Sequence, residues 1–275
     1  MPTESRDIKI SSGVRIGRPG KLFLIAGPCV IESREHARGL AKRLKAICAG
    51  LDVPFIFKAS FDKANRSSIR SFRGPGLDEG LEILAGIKAE LGVPVLSDVH
   101  ETIQVGKAAE ILDVIQIPAF LCRQTDLLLA AAHTQKPINV KKGPFLSPYD
   151  MKNAVEKIES QGNRKILLTE RGTMFGYNNL VVDIRSIPIM KKWGYPVVID
   201  ASHSVQKPGG LGVASGGDRE FIPAIALAAT SAGADGVFLE VHDDPEEALS
   251  DKENAFDIKD LKGLLETLLR LKKAL

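Results

Sequence analysis

One pattern leaves this chain few folds. A short apolar run, a polar or glycine-bearing loop, an amphipathic helix and another apolar run follow one another eight times over. The runs are Leu22–Ala26, Pro54–Phe57, Val93–Ser97, Val114–Ile117, Ile138–Val140, Ile166–Thr169, Val197–Ile199 and Gly236–Leu239. The helices expected with them are Glu35–Ala49, Leu77–Leu91, Thr102–Ile111, Thr125–His133, Pro148–Ser160, Ile184–Trp193, Arg219–Ala232 and Ile258–Lys273. Runs rich in Val, Ile and Leu without alternation read as strands buried on both faces, and strands that alternate with helices pair in parallel. Eight such units predict an α/β fold, the TIM (β/α)8 barrel. A doubly wound open sheet is the rival, but no Gly-x-Gly-x-x-Gly follows the first strand to support a dinucleotide site. Ile8–Ile10 and Val14–Ile16, joined through Ser11-Ser12-Gly13, read as a β-hairpin within an amino-terminal extension, residues 1–20, that caps one end.

A chain of 275 residues suits one barrel or two smaller domains, and no linker-like shift in composition divides it, so residues 1–275 are read as one domain. Basic and acidic residues, 37 and 34, nearly cancel to a net charge of +3, too little to argue for nucleic acid or a membrane surface as partner. The three cysteines are too few and odd in number for a disulfide framework, which favours a reducing compartment. Met1–Arg18 lacks the apolar centre of a signal peptide, and no run approaches the roughly 18 apolar residues of a membrane span. The expectation is a soluble cytoplasmic protein acting on small molecules.

In a barrel, the residues at the carboxyl ends of the strands converge on one mouth. Here they are Cys29, Lys58, Asp98 with His100, Gln116, Lys141, Glu170 with Arg171, His203 and Glu240, all polar or ionisable. The second strand leads into Phe57–Ser68, a loop bearing Lys63, Asn65, Arg66, Ser67 and Ser68. Lysine brings a point charge, arginine a planar donor fork and serine a hydroxyl, a set that suits phosphate and carboxylate together. Taken singly, such a loop also reads as a solvated basic segment, and each cation of Lys58, Lys63, Arg123, Lys141 and Arg171 has an acid to pair with among Glu170, Asp98 and Asp126. Five together point to a ligand with several negative charges. Cys48 and Cys122 read as packing residues, and His36, His133 and His242 as ordinary histidines. Lys259–Leu275 has leucine and lysine at helical spacing, a closing helix rather than a membrane element.

The Phe57–Ser68 stretch, Gly27-Pro28-Cys29-Val30-Ile31-Glu32-Ser33, Ile117-Pro118-Ala119-Phe120-Leu121-Cys122-Arg123-Gln124-Thr125-Asp126, Asn139-Val140-Lys141-Lys142-Gly143, Thr169-Glu170-Arg171-Gly172, Phe175-Gly176-Tyr177-Asn178-Asn179 and Asp200-Ala201-Ser202-His203-Ser204-Val205-Gln206 together resemble the 3-deoxy-D-manno-octulosonate 8-phosphate synthases. The resemblance covers roughly residues 8 to 251. It implies condensation of phosphoenolpyruvate with D-arabinose 5-phosphate and water, a step towards lipopolysaccharide. It also implies a homotetramer in which the sugar phosphate is gripped partly across a subunit boundary. By the same resemblance Lys58, Lys63, Arg123, Lys141 and Arg171 bind phosphoenolpyruvate, and Asn65, Arg66 and Ser67 hold the phosphosugar; Gln116, from its place at a strand end, joins the binding set. His203, Lys58, Lys63 and Asp98 are the catalytic candidates.

A divalent metal of the zinc, iron, manganese or cobalt class is implied as well. Its candidate ligands are Cys29, His203, Glu240 and Asp251, a thiolate, an imidazole and two carboxylates. No local spacing announces this set: Cys29 alone reads as a small buried hydrophobe, and His203 and Glu240 as acid–base groups. The family divides into metal-dependent members with cysteine at the first position and metal-independent members with asparagine, and this chain has cysteine. It departs from the family after Asp251, where Lys252-Glu253 stands in place of the usual Gly-Pro. The seven-carbon sibling synthases share the Gly-Pro-Cys start but carry Lys-Pro-Arg-Thr where this chain reads Lys58-Ala59-Ser60. Intact ligand, cation and histidine positions speak against a catalytically silent sugar-phosphate-binding barrel.

Overall fold

The computed structural model describes residues 5–210 and 215–275, so residues 1–4 of the expected polar amino-terminal stretch lie outside the described residues. Eight parallel strands form the barrel: β1 Phe23–Gly27, β2 Phe55–Lys58, β3 Val95–Asp98, β4 Val114–Ile117, β5 Ile138–Lys141, β6 Ile166–Glu170, β7 Val197–Asp200 and β8 Gly236–His242. Each pairs with the next in sequence, and β8 pairs back onto β1 over Gly236–Glu240 against Phe23–Gly27, which closes the sheet.

The helices that cover the barrel are α1 Arg34–Gly50, α2 Leu77–Leu91, α3 Thr102–Ile111, α4 Thr125–His133, α5 Met151–Glu159, α6 Ser186–Lys191, α7 Ile222–Ser231 and α8 Ile258–Ala274. Three differ from their expected spans by more than one residue at an end. Ahead of α5 and α7 the first turn tightens into 3-10 helices at Pro148–Asp150 and Arg219–Phe221, the former capped by the Ser147 hydroxyl on the Tyr149 amide. The six-residue α6 ends before Gly194, whose φ of 75° no helix continues.

Most strands run past their apolar stretch into a polar residue. Pairing continues there: Lys58 is in register with Leu96, Asp98 with Gln116, Lys141 with Thr169 and Asp200 with Phe238. Because side chains alternate along a strand, residues two apart share a face. The buried cluster inside the barrel contains Ile25, Ile56, Leu96, Val114, Leu167, Val198 and Phe238. Two residues on stand Gly27, Lys58, Asp98, Gln116, Thr169, Asp200 and Glu240, so the interior turns from apolar to polar one layer up. The intervening positions, such as Leu24, Phe57, Ile115 and Ile199, pack in the larger cluster between sheet and helices.

The expected hairpin forms with Ile8 opposite Ile16. Ile8, Ile10 and Ile16 join the interior cluster of Phe23 and Ile25, so the hairpin plugs the amino-terminal end of the barrel and leaves the carboxyl end as the open one. No described helix is long and apolar enough to cross a membrane.

Candidate active site

The carboxyl-terminal mouth encloses a cavity of about 680 Å³. Lys58, Lys63, Asn65, Arg66, Ser67, Asp98, Gln116, Lys141, Arg171, His203 and Asp251 line it. Cys29 and Glu240 lie buried just behind.

Lys58 occupies the β2 end because β1 gives way to it. A Cβ on Gly27 would stand 1.8 Å from the Lys58 carbonyl oxygen, so only glycine lets β1 pass. The Lys58 ammonium donates to both Glu240 carboxylate oxygens, at 2.8 and 3.1 Å, and to the Cys29 carbonyl at 2.7 Å. Both members of this pair are about 1% exposed, so each charge depends on the other. The sequence placed Lys58 against substrate; in the structure its first partners are Glu240 and the β1 loop.

Asp200 organises the β7 end. Its Oδ2 accepts from Lys141 Nζ at 2.6 Å and lies 2.8 Å from His203 Nδ1, while its Oδ1 accepts the His203 amide at 2.9 Å, capping the one-turn helix Ala201–Ser204. With Nδ1–H held by Asp200, His203 Nε2 faces Glu240 Oε1 and Asp251 Oδ2, each at 3.6 Å. Burial alone would push His203 down, but the adjacent Asp200 carboxylate holds it up, to about 10. Burial lowers Lys141 despite Asp200, and it lowers Arg171. Lys63 goes the other way: burial opposes its charge, yet Cys29, Asp98, Glu240 and Asp251 around it hold it well above the ordinary lysine value.

Two guanidinium groups reach the cavity only partly satisfied. Arg171 Nη2 donates to Gln206 Oε1 at 3.0 Å, and Arg66 Nε donates to the Phe72 carbonyl at 3.0 Å. Arg171 Nη1 and Arg66 Nη2 are buried with no partner among the described residues. Donors of this kind are costly unless an anion meets them.

Asp98 accepts from the Ser60 hydroxyl and lies 3.0 Å from His100 Nε2. Burial would raise its pKa, but the His100 contact and Lys63 hold it well below the usual carboxylate range. It is a fixed negative charge, a poor proton shuttle at neutral pH. Gln116 accepts from Asn139 Nδ2, whose own oxygen accepts from Thr169, a chain that fixes its side chain.

Arg123 stands apart from the other expected substrate contacts. The 3-10 turn Ala119–Leu121 carries the chain past the mouth, and Arg123 is exposed beside a separate hollow with Leu146, Asp150 and Lys157. This chain does not bring Arg123 to the cavity. Glu170 also turns away, its Oε1 accepting the amides of Arg171 and Gly172. Lys142, next to Lys141, faces the other side of β5 and donates to the Leu146 and Gly172 carbonyls.

The four candidate metal ligands touch in pairs rather than as one compact cluster: His203 Nε2 faces Glu240 and Asp251, and Cys29 faces Asp251. Cys29 Sγ lies 3.2 Å from Asp251 Oδ2 and 2.9 Å from Ser250 Oγ. Asp251, which Lys252-Glu253 follows, adopts a left-handed φ of 49°, which brings its carboxylate among Cys29, His203 and Gln206. One sulfur, one imidazole nitrogen oriented from behind by a carboxylate, and two carboxylates fit a divalent ion of borderline softness. The proton now favoured on His203 Nε2 is what such an ion would displace.

Sequence reasoning missed Asp200, which touches both Lys141 and His203. Its signal was present: it follows Val198 by two, on the inward face of β7. His36 and His242 lie together, their rings tilted at 38° with centroids 4.5 Å apart beside Glu32.

A barrel whose mouth gathers lysine and arginine around a sulfur, nitrogen and oxygen donor set is that of an enzyme handling phosphorylated anions. The chain matches the model of the DAHP synthetase I family over residues 5–275, and it belongs to that family. It is similar to proteins named 2-dehydro-3-deoxyphosphooctonate aldolase. That of Pelobacter propionicus is 60% identical over 264 residues, covering 96% of this chain and 97% of the relative. That of Desulfatibacillum aliphaticivorans is 58% identical over 265 residues, covering 96% and 97%.

Proposed function

We infer that this protein condenses phosphoenolpyruvate with D-arabinose 5-phosphate and water, giving 3-deoxy-D-manno-octulosonate 8-phosphate and inorganic phosphate for lipopolysaccharide synthesis. The observation that carries the reading is the cavity itself, in which Lys63 and Arg66 from the loop after β2, Lys141 from the end of β5 and Arg171 from just past β6 converge, the two arginines each with a buried N–H that has no partner among the described residues.

Two anions must be held together before they react, and the cations supply both the hold and the orientation. Lys141 and Arg171, deepest in the mouth, suit the compact phosphoenolpyruvate, while Asn65, Arg66 and Ser67 at the rim suit the phosphate of the longer sugar. The enol carbon then attacks the aldehyde, water adds at carbon two, and phosphate leaves. One proton has to reach the aldehyde oxygen and one has to leave the water. Asp200 orients His203 as a metal ligand, so these protons exchange with water in the mouth, and Asp98 holds His100 beside the cavity. Lys58 holds the Glu240 side chain in place through both carboxylate oxygens.

Cys29, His203, Glu240 and Asp251 would hold a divalent metal of the zinc, iron, manganese or cobalt class. When bound there it supplies Lewis-acid charge at the mouth. The reading extends to a cytoplasmic homotetramer with no nucleic-acid or membrane partner, and light scattering of the purified protein checks the assembly.

The test offers phosphoenolpyruvate with either arabinose 5-phosphate or erythrose 4-phosphate and follows phosphate release. Faster turnover with the five-carbon sugar is expected. Equal or better turnover with erythrose 4-phosphate would move the protein to the seven-carbon branch.

A further inference from the structure

We propose that Glu32, His36 and His242 form a second metal site, for a divalent ion of the zinc class, outside the cavity. Glu32 lies in the loop after β1, His36 in the first turn of α1 and His242 at the end of β8. One ligand atom from each lies within 4.8 Å of the other two. Glu32 Oε2 is 3.9 Å from His36 Nδ1 and 3.5 Å from His242 Nε2.

The hydrogen bonds around the cluster prepare it for a cation. His36 Nε2 is 2.9 Å from Asp243 Oδ1, and an ionised carboxylate can only accept, so the neutral ring's proton is assigned to Nε2. That leaves a bare lone pair on His36 Nδ1. This atom is buried and has no hydrogen-bond partner among the described residues, and a carboxylate oxygen faces it. Two lone pairs opposed across 3.9 Å with no proton between them gain nothing from each other and much from a shared cation. Asp243 behind His36 supplies the carboxylate that orients a metal-bound imidazole.

His242 is the ligand that must change. Its Nδ1 accepts the Asp244 amide at 3.0 Å, which puts the neutral ring's proton on Nε2 towards Glu32. To ligate through Nε2 the ring takes its proton at Nδ1 instead. Asp243 Oδ1, 3.4 Å away, accepts it there as the Asp244 amide turns aside. Three protein donors of nitrogen and oxygen with solvent as the fourth match a zinc-class ion. Glu32 Oε1 also accepts the Leu249 amide at 2.9 Å. An ion on Glu32 therefore steadies the segment that ends in Asp251.

The test is zinc content of the full-length protein after stripping, reloading with zinc and gel filtration. Wild type is expected to hold one equivalent more than the His36→Gln/His242→Gln variant, and Cys29→Ala is expected to keep that equivalent. Should the double variant fail to fold, Glu32→Gln serves: it keeps an oxygen for the Leu249 amide and is expected to weaken this zinc by about tenfold or more. Cobalt gives an independent reading, because an ion on Cys29 shows thiolate-to-cobalt charge transfer and one on this site does not. Zinc content and affinity unchanged by all the His36, His242 and Glu32 substitutions would overturn the proposal.

Discussion

Cys29 and Arg66 are the residues on which the proposed chemistry can be separated most cleanly. Removing the Cys29 thiolate takes one of four donors, so Cys29→Ala should lose metal and activity together, read by elemental analysis beside turnover. Cys29→Asn is the more informative change: it is expected to work without metal and to ignore chelators if the ion mainly arranges the site. Full activity in wild type verified metal-free would reduce Cys29 to packing. Arg66 holds a buried N–H at the rim that has no partner among the described residues. A charge-assisted contact is worth about 1.5–3 kcal/mol, so Arg66→Ala should weaken arabinose 5-phosphate by roughly ten- to a hundredfold and leave phosphoenolpyruvate nearly untouched. Calorimetric titration of each substrate decides it, and unchanged sugar affinity would take Arg66 out of the site.

Strands, helices and hairpin were largely legible because each rests on a local pattern: Val/Ile/Leu runs for β4 and β5, helical spacing for α2, α3 and α4, the Ser11-Ser12-Gly13 turn for the hairpin. Strand ends were less so. A polar residue breaks an apolar run, yet Lys58, Asp98 and Asp200 remain in the ladder because their backbones still have partners. What no local pattern carries is meeting across the barrel: that Lys58 finds Glu240, that Asp200 serves both Lys141 and His203, or that His36 lies beside His242. Arg123 shows the same limit, since its place depends on how the Ala119–Leu121 turn leaves the strand end. The hairpin gives a test that avoids the mouth. Ile16 is 2% exposed in the plug, so Ile16→Ala should cost about 2–5 kcal/mol, read as a lower midpoint in denaturant with the slope unchanged. A loss below 0.5 kcal/mol would mean that the plug is not packed as described.

Across the whole molecule, the buried charges at the mouth tie stability to pH. His203 is raised from 6.5 to about 10, so in metal-free protein its contribution is complete below about 6.5 and fades as pH climbs towards 10. The carboxylates run the other way. Asp98, Asp200 and Asp251 are held low against burial, by His100 for the first and His203 for the other two, so their contributions are present above about 3.8 and lost as pH falls further. Thermal melts of stripped protein should therefore fall at both ends, and His203→Gln should flatten the alkaline limb. An alkaline limb identical in that variant would assign the loss to another group.

These charges matter because the mouth joins two phosphorylated anions, and mass balance is the most direct measure of that. Wild-type protein is mixed with phosphoenolpyruvate and D-arabinose 5-phosphate, and phosphoenolpyruvate, inorganic phosphate and the eight-carbon acid are quantified in the same sample. The account predicts one phosphate and one eight-carbon product for each phosphoenolpyruvate consumed, and no consumption when the sugar is withheld. Phosphate released from phosphoenolpyruvate alone, or consumption with no eight-carbon product, would contradict it.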